Sequence, residues 1–150
     1  MSYEPTLGFA LVDAARLFRA RMDRAFVDAG LGLTAGEART LAYVNIHPGL
    51  RQTALAVKMS VEPMTLVGFL DRLEAAGLIE READPTDRRA KIVTLTPAAA
   101  PYLERIQSAG AQVRAAATDG FSEAERDALR EFLIRARANL ARDLRCKDDR

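Results

Sequence analysis

The segment running G-L-I-E-R-E-A-D-P-T-D-R-R-A-K-I-V-T-L-T, from Gly77 to Thr96, constrains this chain more than any other. Its two short apolar runs, Leu78-Ile79 and Ile92-Val93 with Leu95, each suit a half-buried strand. Between them Asp84-Pro85 starts a turn, and Arg88, Arg89 and Lys91 crowd cations next to it. Arginines at a hairpin tip have a physical use: guanidinium suits phosphate oxygens and the narrow, electronegative minor groove of DNA. Just upstream, Pro63 to Ala76 reads as a helix whose Leu66, Phe69, Leu70 and Leu73 share one face.

A helix followed by a basic hairpin is the order of a winged helix-turn-helix. Asp87-Arg88-Arg89, three residues, then Val93-Thr94-Leu95-Thr96 resembles the D-x-R-x(3)-V-x-L-T signature of the multiple-antibiotic-resistance regulator (MarR) family. Leu73-Glu74-Ala75-Ala76-Gly77-Leu78-Ile79 resembles the same family's junction between recognition helix and wing, and the two matches lie in register. The resemblance extends over nearly the whole chain. It implies a homodimeric transcriptional regulator whose DNA binding is relieved by small, often phenolic or amphipathic, ligands. The family pattern is not met everywhere. Family members commonly show Ser or Thr near the positions of Glu62 and Val67 and a basic residue near Gly68. They also have a glycine after the L-T of the wing, where this chain has only Ala and Pro.

Composition bounds the alternatives. With 150 residues and 49% hydrophobic content, the expectation is a single folded domain over residues 1–150. No apolar run approaches the roughly 20 residues that cross a bilayer. The start, Met1-Ser2-Tyr3-Glu4-Pro5, lacks the pattern of a signal peptide, so no membrane partner and a cytoplasmic location are expected. One cysteine excludes an intrachain disulfide. A net charge of only +1 means that affinity for nucleic acid must come from local clustering, and the wing is one such cluster.

Along the chain, Leu7, Leu11, Ala14, Phe18 and Met22 recur at three- and four-residue steps, predicting a helix over 6–29 that ends at Gly30. Arg16, Arg19, Arg21 and Arg24 fall mainly on its other faces, where a solvated surface is expected. Thr34-Ala35-Gly36-Glu37 reads as a capping box opening a helix that stops at His47-Pro48-Gly49. Residues 51–59 make a short helix with Leu55 and Ala56 inside, and Pro63 suits the first turn of the next. Gly77 is placed to end that helix in the left-handed conformation. Thr96-Pro97 starts a fifth helix, in which Pro101 lacks an amide that should reach back, so the helix must begin late or bend. Leu103, Ile106, Gly110, Val113 and Ala117 follow a three-four rhythm like a packing seam. After a second capping box at Ser122-Glu125, a last helix is striped by Leu129, Phe132, Leu133, Ala136, Leu140 and Leu144. The expected fold is mainly α with a small β-hairpin wing: a winged-helix lobe over 34–96, flanked by dimerisation helices at 6–29 and 97–146.

For the DNA surface, the expected contacts are Arg51, Met64, Thr65, Gly68, Arg72, Arg88, Arg89 and Lys91, with Asp87 orienting Arg89. Residues 60–76 would dock in the major groove of a palindromic operator and residues 84–91 in the adjacent minor groove. Thr65 is a neutral hydrogen-bonding base reader, and Met64 or Val67 suits a thymine methyl. Glu62 could accept from cytosine yet repels phosphate. Direct base readout therefore stands beside a reading in which DNA shape and the wing supply the specificity. The rival from another class is a winged helix used for protein contacts.

Tyr43 and His47 share a helix face, and with Phe18 they are the candidate pocket for a small aromatic or amphipathic ligand. The competing reading is a helix-end histidine near terminal carbonyls. No metal is expected, because one His and a Cys ninety-nine positions away give no ligand spacing. Cys146, in a charged tail, is expected to be a solvent-exposed bystander. No cofactor is implied, and no nucleophile elbow, Walker loop or H-E-x-x-H site supports an enzyme.

Overall fold

The hairpin and the helix before it form where the apolar spacing puts them, in a winged helix-turn-helix. A computed structural model describes residues 6–148, and side chains for residues 6–145. The order is α1 (Leu7–Asp28), α2 (Ala35–Ile46), α3 (Gln52–Met59), α4 (Pro63–Ala75), β1 (Ile79–Asp84), β2 (Asp87–Leu95), a 3₁₀ turn (Pro97–Ala99), α5 (Ala100–Ala117) and α6 (Glu123–Asp148). The chain divides into two compact units, residues 1–113 and 114–150.

In the first unit the capping box of α2 is complete. The Glu37 amide donates to Thr34 Oγ1 at 3.2 Å and the Thr34 amide to Glu37 Oε2 at 2.9 Å. Gly36 has a second role there: a Cβ at this position would lie 2.3 Å from Cζ of Phe69, so α2 and α4 approach through the missing side chain. α3 ends on Ser60 at φ +53°, a left-handed cap made without glycine, and Pro63 occupies the first turn of α4. Gly77, at φ +71°, turns the chain from α4 into β1. The Val93 amide donates to the Leu50 carbonyl at 3.2 Å and Arg51 pairs with Ile92, so the loop before α3 lies along the wing as a minimal third strand.

Leu41, Leu55, Met59, Leu66, Leu70, Leu73, Ile79 and Val93 are fully buried and form the centre of the core. No single helix among the described residues is long and apolar enough to cross a membrane. α3 and α4 are apolar together, but they meet at 112° and spend that character on the core. Ile106, Gly110 and Val113 are buried and Leu103 packs on the same core. Four of the five positions of that three-four rhythm, all but the exposed Ala117, therefore pack on the core. Pro101 falls in the first turn of α5, because a 3₁₀ turn precedes the helix and removes the demand for its amide.

In the second unit, Gly120 at φ +78° and a second capping box open α6. There the Ser122 amide donates to Glu125 Oε2 at 2.7 Å and the Glu125 amide to Ser122 Oγ at 3.2 Å. Phe132, Leu133, Leu140 and Leu144 of α6 are exposed, as are Leu7, Val12, Leu17 and Phe18 of α1. The side chain of Cys146, expected to be an exposed bystander, lies outside the described residues.

Candidate nucleic-acid interface

α4 divides lengthwise into two kinds of surface. Leu66, Leu70 and Leu73 are buried, leaving Met64, Thr65, Asp71 and Arg72 exposed with Gly68 half-buried among them. The N-terminal half is uncommitted: Met64 is 79% exposed, and the Thr65 hydroxyl makes no hydrogen bond among the described residues. Glu62 stands at the N-cap without a side-chain hydrogen bond, so it leaves the first-turn amides of α4 uncapped.

The C-terminal half is tied down. Arg72 donates its Nε to Glu37 Oε1, and its guanidinium lies 5.6 Å from the centre of the Phe69 ring. Burial raises the Glu37 carboxyl, but the bonds from Arg72 and Thr34 outweigh it and hold the group below the usual carboxylate range. Asp71 accepts from Arg81 Nη2 at 2.7 Å, and Glu74 accepts from the same nitrogen at 2.5 Å. The Arg81 bond, acting against desolvation, lowers Glu74, and the reciprocal contact raises the half-buried Arg81. Arg81 belongs to β1, so the wing and α4 are pinned as one body.

The wing tip carries exposed cations. From Ile79↔Leu95 to Ala83↔Lys91 the strands pair regularly, then the register jumps to Asp84↔Asp87. Arg88, Arg89 and Ala90 therefore bulge without cross-strand partners. Arg88 and Arg89 are exposed and, among the described residues, their side chains make no hydrogen bond or ion pair. Lys91 is exposed nearby and acts electrostatically on Glu74.

Three of the expected site residues have partners within the chain. Arg51, expected at DNA, donates Nε to Asp84 Oδ2 at 2.5 Å and Nη2 to Thr86 Oγ1 at 3.1 Å. Arg72, also expected at DNA, is the strut to Glu37 just described. Asp87 accepts from the Arg89 backbone amide at 3.1 Å rather than from its guanidinium, so it shapes the turn instead of aiming the side chain. The acid that organises the tip is Asp84, buried at 6% exposure, accepting from the Thr86 amide at 2.8 Å and its hydroxyl at 2.7 Å. Those two bonds, followed by Arg51, draw its pKa from 3.8 to about 2. Asp84-Pro85-Thr86 is a turn signature in the sequence, and it could have identified this acid.

Of the candidate ligand residues, Tyr43 and His47 come together, with ring centroids 6.1 Å apart and tilted at 44°. His47 also ends α2, its amide donating to the Tyr43 carbonyl at 2.9 Å, so both readings of this residue retain a basis. Phe18 is exposed on α1. A half-open cleft of about 270 Å³ lies elsewhere, lined by Arg21, Ala25 and Asp28 of α1 and by Arg105, Ser108 and Gln112 of α5. None of the three candidates lines it. Among the described residues no three His, Cys, Asp or Glu gather as metal ligands.

The MarR family model matches residues 33–91, spanning α2 to the wing. A candidate transcriptional regulatory protein for the hcr operon of Thauera aromatica is 38% identical over 104 residues, 69% of this chain. The chain spans 63% of that relative's length. A transcriptional regulator of known crystal structure is 34% identical with a TM-score of 0.73, covering 90% of this chain and 98% of its own. A MarR-family regulator from Silicibacter pomeroyi is 28% identical with a TM-score of 0.76, covering 89% of each chain. This chain belongs to the MarR family, a family of transcriptional regulators rather than enzymes.

Proposed function

We propose that the protein is a sequence-specific repressor that binds a palindromic operator in double-stranded DNA as a homodimer, in the cytoplasm. The observation that carries this reading is the pairing of two uncommitted surfaces on one rigid body. The first turns of α4 present Met64, Thr65 and Gly68, and the wing tip presents Arg88 and Arg89, with Arg81 holding the two together. The helix would enter the major groove and the wing the adjacent minor groove, where arginine senses both charge and groove width. The exposed apolar side chains of α1 and α6 support a dimer, because stripes of this kind usually mark a partner surface. Release by a small aromatic or amphipathic ligand is the remaining part of the proposal, supported by the Tyr43–His47 ring pair. Such a ligand changes DNA affinity only as far as it prefers one conformer.

Titration against a duplex enriched from a random pool by this protein, and against a random duplex of equal length, tests the proposal. Expected are tighter binding to the enriched duplex and a steep loss of affinity with salt. Sedimentation should give a dimer at micromolar concentration. The second reading, a winged helix that docks on another protein, is favoured by the exposed Met64 and by the few donors on the first turns of α4. Absence of salt-dependent duplex binding would leave that reading standing.

A further inference from the structure

An exposed arginine at the start of α3 suits a phosphate contact, yet the surroundings of Arg51 are those of a strut. Its Nε reaches Asp84 Oδ2 and its Nη2 reaches Thr86 Oγ1, while its backbone pairs with Ile92 of β2. Asp84 is buried, and its second oxygen is taken up by the Thr86 amide and hydroxyl. Asp84 also stands where the strand register breaks, at the start of the turn that leads to the bulged Arg88 and Arg89.

We propose that Arg51 is a positioning residue: through Asp84 and Thr86 it sets the angle at which the wing presents Arg88 and Arg89 to DNA. This inference rests on the DNA-binding reading above. A cation that reads groove width must sit at a defined depth, whereas a phosphate contact tolerates a moving tip. Loss of the strut therefore falls on discrimination between sequences more than on nonspecific affinity.

The two roles of Arg51 predict opposite signs for Asp84→Asn. If Arg51 positions the wing, Asp84→Asn and Arg51→Gln each weaken the enriched duplex by about tenfold and the random duplex much less, and the double variant is no worse than the poorer single, as for two partners in contact. Arg51→Lys does not rescue, because an ammonium cannot supply the two-donor fork. If Arg51 contacts phosphate, Asp84→Asn removes a competing anion and tightens both duplexes. Arg51→Gln then weakens both and reduces the salt slope by about 0.9, and lysine rescues; that pattern overturns the proposal. Amide exchange in the DNA-free proteins gives an arm independent of DNA. Faster exchange at Thr86 and Val93, with the Leu41 and Leu70 amides unchanged, is expected in Asp84→Asn. Unchanged wing exchange also overturns the proposal. A parent that fails to bind any duplex sinks the DNA reading, and the exchange measurement still decides the strut.

Discussion

Arg72, on α4, donates its Nε to the carboxylate of Glu37, thirty-five residues earlier at the start of α2. The same carboxylate closes the capping box with Thr34, so one buried acid fixes both the start of α2 and the rotation of α4. Glu37→Ala removes both contacts and is expected to destabilise the fold by about 1–3 kcal/mol, the range for a buried polar group losing its partners. Glu37→Gln keeps an acceptor for the Thr34 amide and should lose about 1 kcal/mol or less, since Arg72 is more than half exposed and the lost charge is screened. Urea unfolding midpoints of the two variants check the order.

Gly36 supports the same junction through its lack of a side chain. Alanine is the better helix former by about 1 kcal/mol, so substitution in an open helix would stabilise. Here the added Cβ meets the Phe69 ring, and overpacking of this kind costs about 1–3 kcal/mol. Gly36→Ala should therefore lower the thermal midpoint, and Phe69→Leu in the same chain should recover part of the loss. A Gly36→Ala protein as stable as the parent would mean that the ring moves aside freely.

Acid sensitivity follows from carboxylates held by hydrogen bonds in the folded chain. Asp84 drops from 3.8 to about 2 on folding, and Glu37, Glu74 and Glu125 all lie below their ordinary 4.5. A carboxyl whose folded pKa is depressed is deprotonated in the folded state while the unfolded chain already binds a proton. Its contribution is complete above the ordinary value and is lost as pH falls toward the folded one. Stability should hold at neutral pH, begin to fall near pH 4.5 and keep falling toward pH 2. Asp84→Asn should flatten the part between 3.8 and 2, as thermal melts across that range would reveal.

The parts of the fold that local sequence dictates were legible. Helices followed apolar spacing and the two capping boxes, Gly77 took the left-handed conformation, and the wing formed between its two apolar runs. Pro101 signalled a late helix start, and the 3₁₀ turn before α5 is how the chain accommodates it. What sequence withheld was pairing across distance. Arg51 and Arg72 look like Arg88 and Arg89 in the sequence, as cations near a basic hairpin. Their carboxylate partners lie thirty-three and thirty-five residues away, and only the fold brings them together. Ser60 gave no warning of a left-handed cap, because glycine usually holds that position.

The wing bears the sharpest expectation. Arg88 and Arg89 are exposed neighbours whose side chains have no hydrogen-bond or ion-pair partner among the described residues, and where a strand is extended successive side chains leave it on opposite faces. Asp87 holds the Arg89 amide, which fixes the backbone there while leaving its guanidinium free to enter a groove. An arginine in a narrowed minor groove senses DNA shape as well as charge, whereas one on a phosphate acts through counterion release and ignores sequence. Arg89→Ala should weaken the enriched duplex by about 1–3 kcal/mol per site, more than it weakens a random duplex. Arg88→Ala should weaken both alike and reduce the salt slope by about one per half-site. Asp87→Ala separates bracing from contact. Because the one hydrogen bond of the Asp87 carboxylate among the described residues is to the Arg89 amide, its loss should cost less than that of Arg89, and equal damage from the two would make Arg89 a structural residue of the turn. Titrating both duplexes with the three variants at several salt concentrations decides the matter, and undiminished binding of the enriched duplex by Arg89→Ala would remove the wing from sequence recognition.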